Sequence, residues 1–144
     1  MKARVVYTLI VLIFTCMFDS AMAQTNDTTA GYVIQNESQL LKKSPSPNKG
    51  KGEIMGCSFF DDLKDFKISF RKRVLQHGAS LGRHIQKRDE IYYVVSGEGI
   101  IRINDVPTPV RHGDAILTMK GSSHELIQTS EEDLVILVVF EKTL

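Results

Sequence analysis

A histidine, a glutamine and a glutamate lie within seven positions of one another, at His84, Gln86 and Glu90. Side chains alternate between the two faces of a strand, so His84 and Gln86 point the same way if this segment is extended. Glu90 shares a face with Val94 in the strand-forming run that follows. A carboxylate on an apolar, inward face has to be paired, protonated or bound to a cation. Because imidazole and carboxylate groups bind first-row metals, the segment predicts one half of a metal site.

The other half of such a site needs a second imidazole from elsewhere in the chain. The sequence contains four histidines, His77, His84, His112 and His124. His77 and His112 each precede a glycine in turn-like sequence, which is typical of surface turns. His124 opens a predicted strand in which Leu126 and Gln128 share its face. We therefore interpret His124 as the second imidazole.

Short predicted strands, separated by turns, fill the chain from Ser58 onward. Between residues 66 and 70, apolar and polar side chains alternate, which is the period-2 pattern of a half-buried strand. Ile91–Val95 is β-branched or aromatic on both faces, and Pro107 and Pro109 restrict their segment to an edge strand or a loop. No stretch of this half has ten residues with a helical apolar stripe. The pattern predicts an all-β sandwich or barrel.

The first 23 residues have the pattern of a cleaved signal peptide. Positive charge precedes an apolar run, and small residues at Ala21 and Ala23 follow it. A retained membrane anchor is the alternative, but the run is short for a span of about 20 apolar residues. We expect residues 24–57 to be an N-terminal arm and linker and residues 58–144 to be one domain. The destination is then periplasmic or secreted, with no stable membrane span after cleavage.

Composition argues against a nucleic-acid partner. The chain has 18 Lys and Arg against 17 Asp and Glu, a formal net charge of +1. Removal of residues 1–23 takes away Lys2, Arg4 and Asp19, which leaves basic and acidic residues in equal number. A nucleic-acid-binding domain carries a clear basic excess, so we expect no nucleic-acid binding.

The spacing of these residues resembles two motifs of the cupin family. The first cupin motif runs glycine, five residues, His-x-His, three or four residues, glutamate, six residues and glycine, and the matching positions are Gly78, His84, Gln86, Glu90 and Gly97. The second runs glycine, five residues, Pro-x-Gly, two residues, histidine, three residues and asparagine, and the matching positions are Gly113, Met119, Gly121, His124 and Gln128. Fifteen residues separate the motifs, as in small cupins. Over about residues 58–144, the resemblance implies a double-stranded β-helix, or jelly-roll barrel, that holds a mononuclear divalent metal.

One departure from the family pattern affects the metal. Gln86 stands where cupins have a second histidine, so the implied ligands are His84, Gln86, Glu90 and His124, with manganese, iron, zinc or nickel as the ion. If the weaker amide does not bind, two histidines and one carboxylate remain, the set used by non-haem iron oxygenases. Loss of the histidine could also have abolished metal binding and left a polar cavity. One anionic ligand on a divalent cation leaves positive charge, which favours an anionic substrate or a sugar acid.

Several other side chains have two interpretations. Tyr92 lies on the Glu90 face, where it either hydrogen-bonds a ligand or belongs to the core. Gln128 on the His124 face has the same two interpretations, and both are candidate catalytic residues. Arg71 and Arg73 are interpreted as solvated charges on a strand face rather than as substrate clamps.

Apolar side chains on both faces of Ile91–Val95 predict that this strand is covered twice. One cover is the barrel core, and the other is either a homodimer partner or the arm around residues 32–41. Small cupins commonly form dimers, so the resemblance implies a homodimer as well.

Two classes of function follow from these patterns. The first is a metal-dependent enzyme, either an isomerase or epimerase of a sugar or sugar acid, or a dioxygenase or decarboxylase of a small carboxylate. Glu90 cannot be both a tight ligand and a free base, so such an enzyme lacks an obvious acid–base residue. The second class is a non-catalytic module that binds a small ligand or a metal. A structural domain with a degenerate site is a third, weaker option.

Overall fold

The computed structural model describes residues 31–142 of the chain. They form one helical turn, α1 (Glu37–Leu40), and one 3₁₀ turn (Pro47–Lys49). The strands are β1 (Lys42–Pro45), β2 (Glu53–Phe59), β3 (Ile68–Leu75), β4 (Ser80–Ile85), β5 (Glu90–Ser96), β6 (Glu98–Ile103), β7 (Val106–Arg111), β8 (Ala115–Thr118), β9 (Ser123–Gln128) and β10 (Leu134–Glu141). Within residues 31–142, no helix has the length and apolar character to span a membrane.

The strands form two antiparallel sheets. The larger sheet has the order β1-β2-β3-β10-β5-β8, and the smaller sheet has the order β4-β9-β6-β7. Strands distant in sequence are therefore neighbours, since β10 pairs with both β3 and β5, and β9 pairs with both β4 and β6. This architecture confirms the prediction of an all-β jelly roll with a double-stranded β-helix.

The apolar core lies between the two sheets. Alternate residues of β10 face it, and of these Leu134 and Ile136 are completely buried. Val94 of β5 comes from the same sheet, and Ile101 and Leu126 come from the opposite one. The predicted sharing of one inward face by residues 90, 92 and 94 is confirmed by the burial of Tyr92 and Val94.

Two local features compare directly with the sequence prediction. β7 is the edge strand of the smaller sheet, as the prolines predicted, because Pro107 and Pro109 have no N–H to donate to a further strand. β1 and most of β2 fall inside the range 24–57 that we assigned to the arm and linker, and β2 pairs with β3. The predicted signal peptide lies outside the described residues.

Candidate functional site

His84 and His124 face each other across neighbouring strands. β4 and β9 pair in a register that sets His84 directly opposite His124, and their ring centroids are 4.3 Å apart. A β-bulge between Leu81 and His84 shifts this register. Because a bulge changes the face on which the following side chain lies, Leu81 and His84 both face the interior although they are three residues apart. The predicted convergence of the two imidazoles is thus present in the structure.

The first residues of β5 bring a carboxylate and a hydroxyl next to the two histidines. Glu90 Oε2 lies 3.8 Å from His124 Nε2 and accepts a 2.6 Å hydrogen bond from Gln86 Nε2. The Tyr92 hydroxyl lies 3.0 Å from His124 Nε2. We call His84, Gln86, Glu90, Tyr92 and His124 the inner cluster.

The His124 ring is neutral, and His84 contacts the backbone through its Nδ1 atom. Burial, and then the charge of the neighbouring His84, lower the pKa of His124 to about 4. His84 Nδ1 lies 2.9 Å from the carbonyl oxygen of Gly82, which only accepts, so the tautomer with the proton on Nδ1 satisfies this contact and leaves a lone pair on Nε2. The Asn48 amide lies 2.9 Å from the same nitrogen. If the amide is rotated by 180°, its oxygen and the Gly82 carbonyl oxygen both accept from the single Nδ1 proton.

The chemistry of the inner cluster fits a divalent metal. Neutral imidazole and carboxylate are donors that first-row metals accept. His124 Nε2 is the nitrogen that faces Glu90 and Tyr92, whereas His124 Nδ1 is buried without a hydrogen-bond partner among the described residues. As the side chains stand, however, no three His, Cys, Asp or Glu residues between 31 and 142 are grouped to hold an ion. Gln86 stands where the family motif has its second histidine, and its amide nitrogen donates a hydrogen bond to Glu90.

A basic cavity of about 380 Å³ opens beside the inner cluster. Glu90 is the only carboxylate in its lining, which also contains four basic side chains, Arg71, Arg73, Lys87 and Arg88. The interpretation of Arg71 and Arg73 as solvated charges was therefore wrong. They share the inward face of β3 with the buried residues Ser69 and Leu75.

Residues 46–50, here called the strap, close one side of the cavity. The Ser46 hydroxyl donates to the carbonyl oxygen of Ser80, and Asn48 lines the cavity next to His84. The strap lies so close to β4 that a Cβ atom on Gly82 would overlap the carbonyl oxygen of Asn48. The sequence prediction assigned this segment to a loop, so it missed Asn48 as a site residue. The one available signal was the glycine at position 82 inside a strand.

The structure does not bring Gln128 to the inner cluster. The Gln128 side-chain oxygen accepts from Gly78 N at 2.8 Å, and its nitrogen donates to Glu132 O at 2.7 Å. The amide therefore joins two loops, although the residue lies on the inward face of β9 as predicted. His77 and His112 are exposed turn residues, each with Nδ1 near a backbone carbonyl oxygen, and the prediction for both is confirmed.

The depressed pKa of His124 predicts a loss of stability in mild acid. The folded-state pKa is about 4, against the usual histidine value of 6.5. Between these two values the unfolded chain binds a proton that the folded chain excludes, so the stability present above pH 6.5 is lost as the pH falls. We expect this histidine to lower the free energy of unfolding by about 3 kcal/mol over that range.

Urea denaturation at several pH values, with a chelator present, measures this dependence. The variant His124→Gln is the control, because it removes the titrating ring and leaves the other ionisable groups in place. Its free energy of unfolding should change less between pH 6.5 and pH 4. Equal pH dependence in the two proteins would contradict the prediction.

Known proteins resemble this chain in both sequence and structure. Residues 72–140 match the family described as "Cupin domain". An oxalate-binding protein of Thermotoga maritima is 29% identical over 112 residues, which are 76% of this chain and 93% of that protein. An uncharacterised protein of Streptomyces coelicolor is 30% identical over 83 residues, which are 58% of this chain and 78% of that protein.

A solved structure shares the arrangement of strands. The crystal structure of a predicted oxalate decarboxylase from Thermotoga maritima aligns with a TM-score of 0.70 and 28% identity, and it covers 77% of this chain and 100% of that chain. The sequence match, the two paired-sheet layers and the facing histidines agree with one another. These findings together show that the chain belongs to the cupin family.

Proposed function

We propose that the cavity beside the inner cluster binds a small carboxylate. The observation that carries this proposal is the charge of the lining, in which four basic side chains oppose the single carboxylate of Glu90. A cavity lined by one sign of charge attracts the opposite charge and raises its local concentration. A volume of about 380 Å³ is enough for an acid of a few carbon atoms.

The names of the sequence match and the structure match, both from Thermotoga maritima, support the same ligand class. One is an oxalate-binding protein and the other is a predicted oxalate decarboxylase. Oxalate is a small dicarboxylate, and this chain is similar to both proteins over most of its length. We therefore propose small mono- and dicarboxylates as the ligand class of the cavity, and this class includes sugar acids.

We propose in addition that a mononuclear divalent ion, of manganese, iron, zinc or nickel, is held by His84, Glu90 and His124. Gln86 would supply the fourth donor through its amide oxygen, which requires that it release Glu90. A metal in this position supplies Lewis-acid attraction for a carboxylate oxygen. The neutral state of His124 supports this role, because metals bind the unprotonated ring.

The chemistry of the inner cluster favours binding over turnover. Burial, and then the charge of Glu90, raise the pKa of the Tyr92 hydroxyl well above its usual value, so the tyrosine keeps its proton at neutral pH. Glu90 is occupied by Gln86 and the site lacks a second carboxylate in its lining. Turnover as a decarboxylase or isomerase would need an acid–base group that this arrangement does not leave free.

Export is the second part of the proposal. Residues 1–23 have the composition and order of a signal peptide, and we propose that the protein acts in the periplasm or outside the cell.

A homodimer is the third part, and it concerns the outward side of the larger sheet. We define the apolar face as Ile91, Tyr93, Val95, Leu117 and Met119, whose exposed fractions lie between 37% and 62%. The other candidate cover was the arm. Its helix α1 packs on β2, and Glu37 forms an ion pair with Lys72 of β3 at 2.7 Å, so the arm is engaged at a different part of the sheet. We propose that a second copy of the chain covers the apolar face.

Isothermal titration calorimetry with oxalate, acetate, glucuronate and glucose tests the carboxylate proposal. We expect saturable 1:1 binding of at least one carboxylate and no binding of neutral glucose, because the basic lining attracts anions. Metal content, measured on the same protein by inductively coupled plasma mass spectrometry, tests the ion independently. Glucose binding as tight as that of the acids, or no binding of any acid, would contradict the proposal.

A further inference from the structure

Two neighbouring arginines of the cavity form no ion pair with the described residues. The ion pairs within residues 31–142 that involve lysine or arginine use Lys43, Lys72, Arg83, Arg102 and Lys142. Arg71 and Arg73 are therefore unpaired in this part of the chain, although both are half-buried on the inward face of β3. Arg71 Nε is fully buried and has no hydrogen-bond partner among the described residues. Because protein atoms bury this nitrogen, the Arg71 donors that a ligand in the cavity can reach are those of its terminal guanidinium nitrogens.

Arg73 is held in one orientation by the backbone. Its Nη1 donates to the carbonyl oxygens of Cys57 and Lys72, at 3.1 and 2.9 Å. Gly56, which pairs with Arg73, leaves the space for this group, because a Cβ atom there would lie 2.8 Å from Nη1. The two Nη1 hydrogens are thus used, and the donors on Nε and Nη2 remain. A guanidinium fixed in this way loses little freedom when it binds a carboxylate.

Arg71 lies in the same row of the larger sheet as Tyr92 of the inner cluster. Val138 of β10 pairs with Arg71 on one side and with Tyr92 on the other, so these residues form one row across the larger sheet. The Arg71 guanidinium lies 4.8 Å from the centre of the Phe140 ring, and that of Arg88 lies at the same distance. The aromatic ring therefore holds Arg71 over the cavity by a cation–π contact, which does not neutralise its charge.

The repulsion between the two arginines is visible in the pKa of Arg73. Burial, and then the charge of Arg71, lower this pKa. A bound carboxylate would offset both effects, because it provides a negative charge and acceptors for the unused N–H groups.

We infer that Arg71 and Arg73 form a carboxylate-binding subsite that holds its ligand without a metal. This inference rests on the proposed carboxylate function and assigns it to specific residues. The subsite binds one carboxylate group through the free N–H donors of both guanidinium groups. Lysine cannot replace arginine here, because an ammonium group does not offer two parallel donors to one carboxylate.

The test is calorimetric titration of oxalate and acetate into the full-length protein after chelator treatment and dialysis. We expect the metal-free protein to keep measurable binding. Arg71→Gln and Arg73→Lys should each weaken it by about 10-fold or more, which is about 1.4 kcal/mol, since each variant loses charge-assisted hydrogen bonds to the carboxylate. Arg71→Gln should also leave the thermal stability unchanged or raise it, because the repulsion with Arg73 is removed. Arg111→Gln, on edge strand β7 and outside the lining, is the matched control and should bind as the wild type does.

Two outcomes separate the inference from the function on which it rests. If carboxylates bind only after metal is restored, and the folded arginine variants bind as well as the wild type, the inference is wrong and the carboxylate function stands. If no carboxylate binds with or without metal, both are wrong. Gly56→Ala keeps the charge of Arg73 but displaces its guanidinium, so it should also weaken binding. Unchanged affinity in this variant would count against the assigned geometry.

Discussion

Replacing Gly82 with valine is expected to separate the strap from β4 and to lower the free energy of unfolding by about 1–3 kcal/mol. A side chain at this position would overlap Asn48 O, and its Cβ would lie only 2.6 Å from Gly50 N. Both atoms belong to the backbone of the strap, so no side-chain rotation relieves the overlap. The strap must move, and the contact between Asn48 and His84 is lost with it.

Limited trypsin digestion and urea denaturation followed by circular dichroism measure this effect. Trypsin should cleave the variant faster after Lys49 and Lys51, because a detached strap is accessible to the protease. The matched control is Gly121→Ala, whose Cβ would meet no atom within 4 Å but whose φ of +88° lies in the left-handed region. This control should cost about 1–2 kcal/mol through backbone strain alone and leave strap cleavage unchanged. Equal cleavage of the Gly82 variant and the wild type would show that the strap tolerates the side chain.

Replacing Tyr93 with glutamate is expected to convert the proposed homodimer into a monomer. Tyr93 lies near the middle of the apolar face, between Leu137 of β10 and Ala115 of β8. An interface at this face would bury the new carboxylate without a partner, which costs several kcal/mol in each subunit. Multi-angle light scattering coupled to size-exclusion chromatography should give the mass of two chains for the wild type and of one chain for the variant.

Val106→Glu is the control for this experiment. Val106 is also an exposed apolar residue, with 63% of its surface accessible, but it lies on edge strand β7 of the smaller sheet. Its charge should leave the dimer intact. A wild-type protein that is monomeric at micromolar concentration, or a Tyr93 variant that remains dimeric while folded, would exclude the apolar face as the interface.

Much of the fold and the centre of the site could be predicted from the sequence. Alternation of apolar residues and regularly spaced turns indicated an all-β fold, and the prolines of β7 indicated an edge strand. The spacing of glycines, histidines and Glu90 resembled two known motifs, which predicted that His84 and His124 converge. These features depend on local backbone preferences and on fixed spacings, so the linear sequence contains them.

The sequence by itself therefore determined the strands and turns from β3 onward and the identity of the inner cluster, whereas the tertiary structure added β1 and β2 and decided what surrounds that cluster. On β3, period-2 alternation shows that Arg71 and Arg73 share a face, but apolar residues occur on both faces, and only packing shows which face is inward. The contact of the strap with Gly82 joins segments more than 30 residues apart and has no local pattern. The bulge before His84 likewise becomes visible only through pairing with β9. In each case the deciding interaction is between strands or loops distant in sequence, and local residue preferences do not specify it.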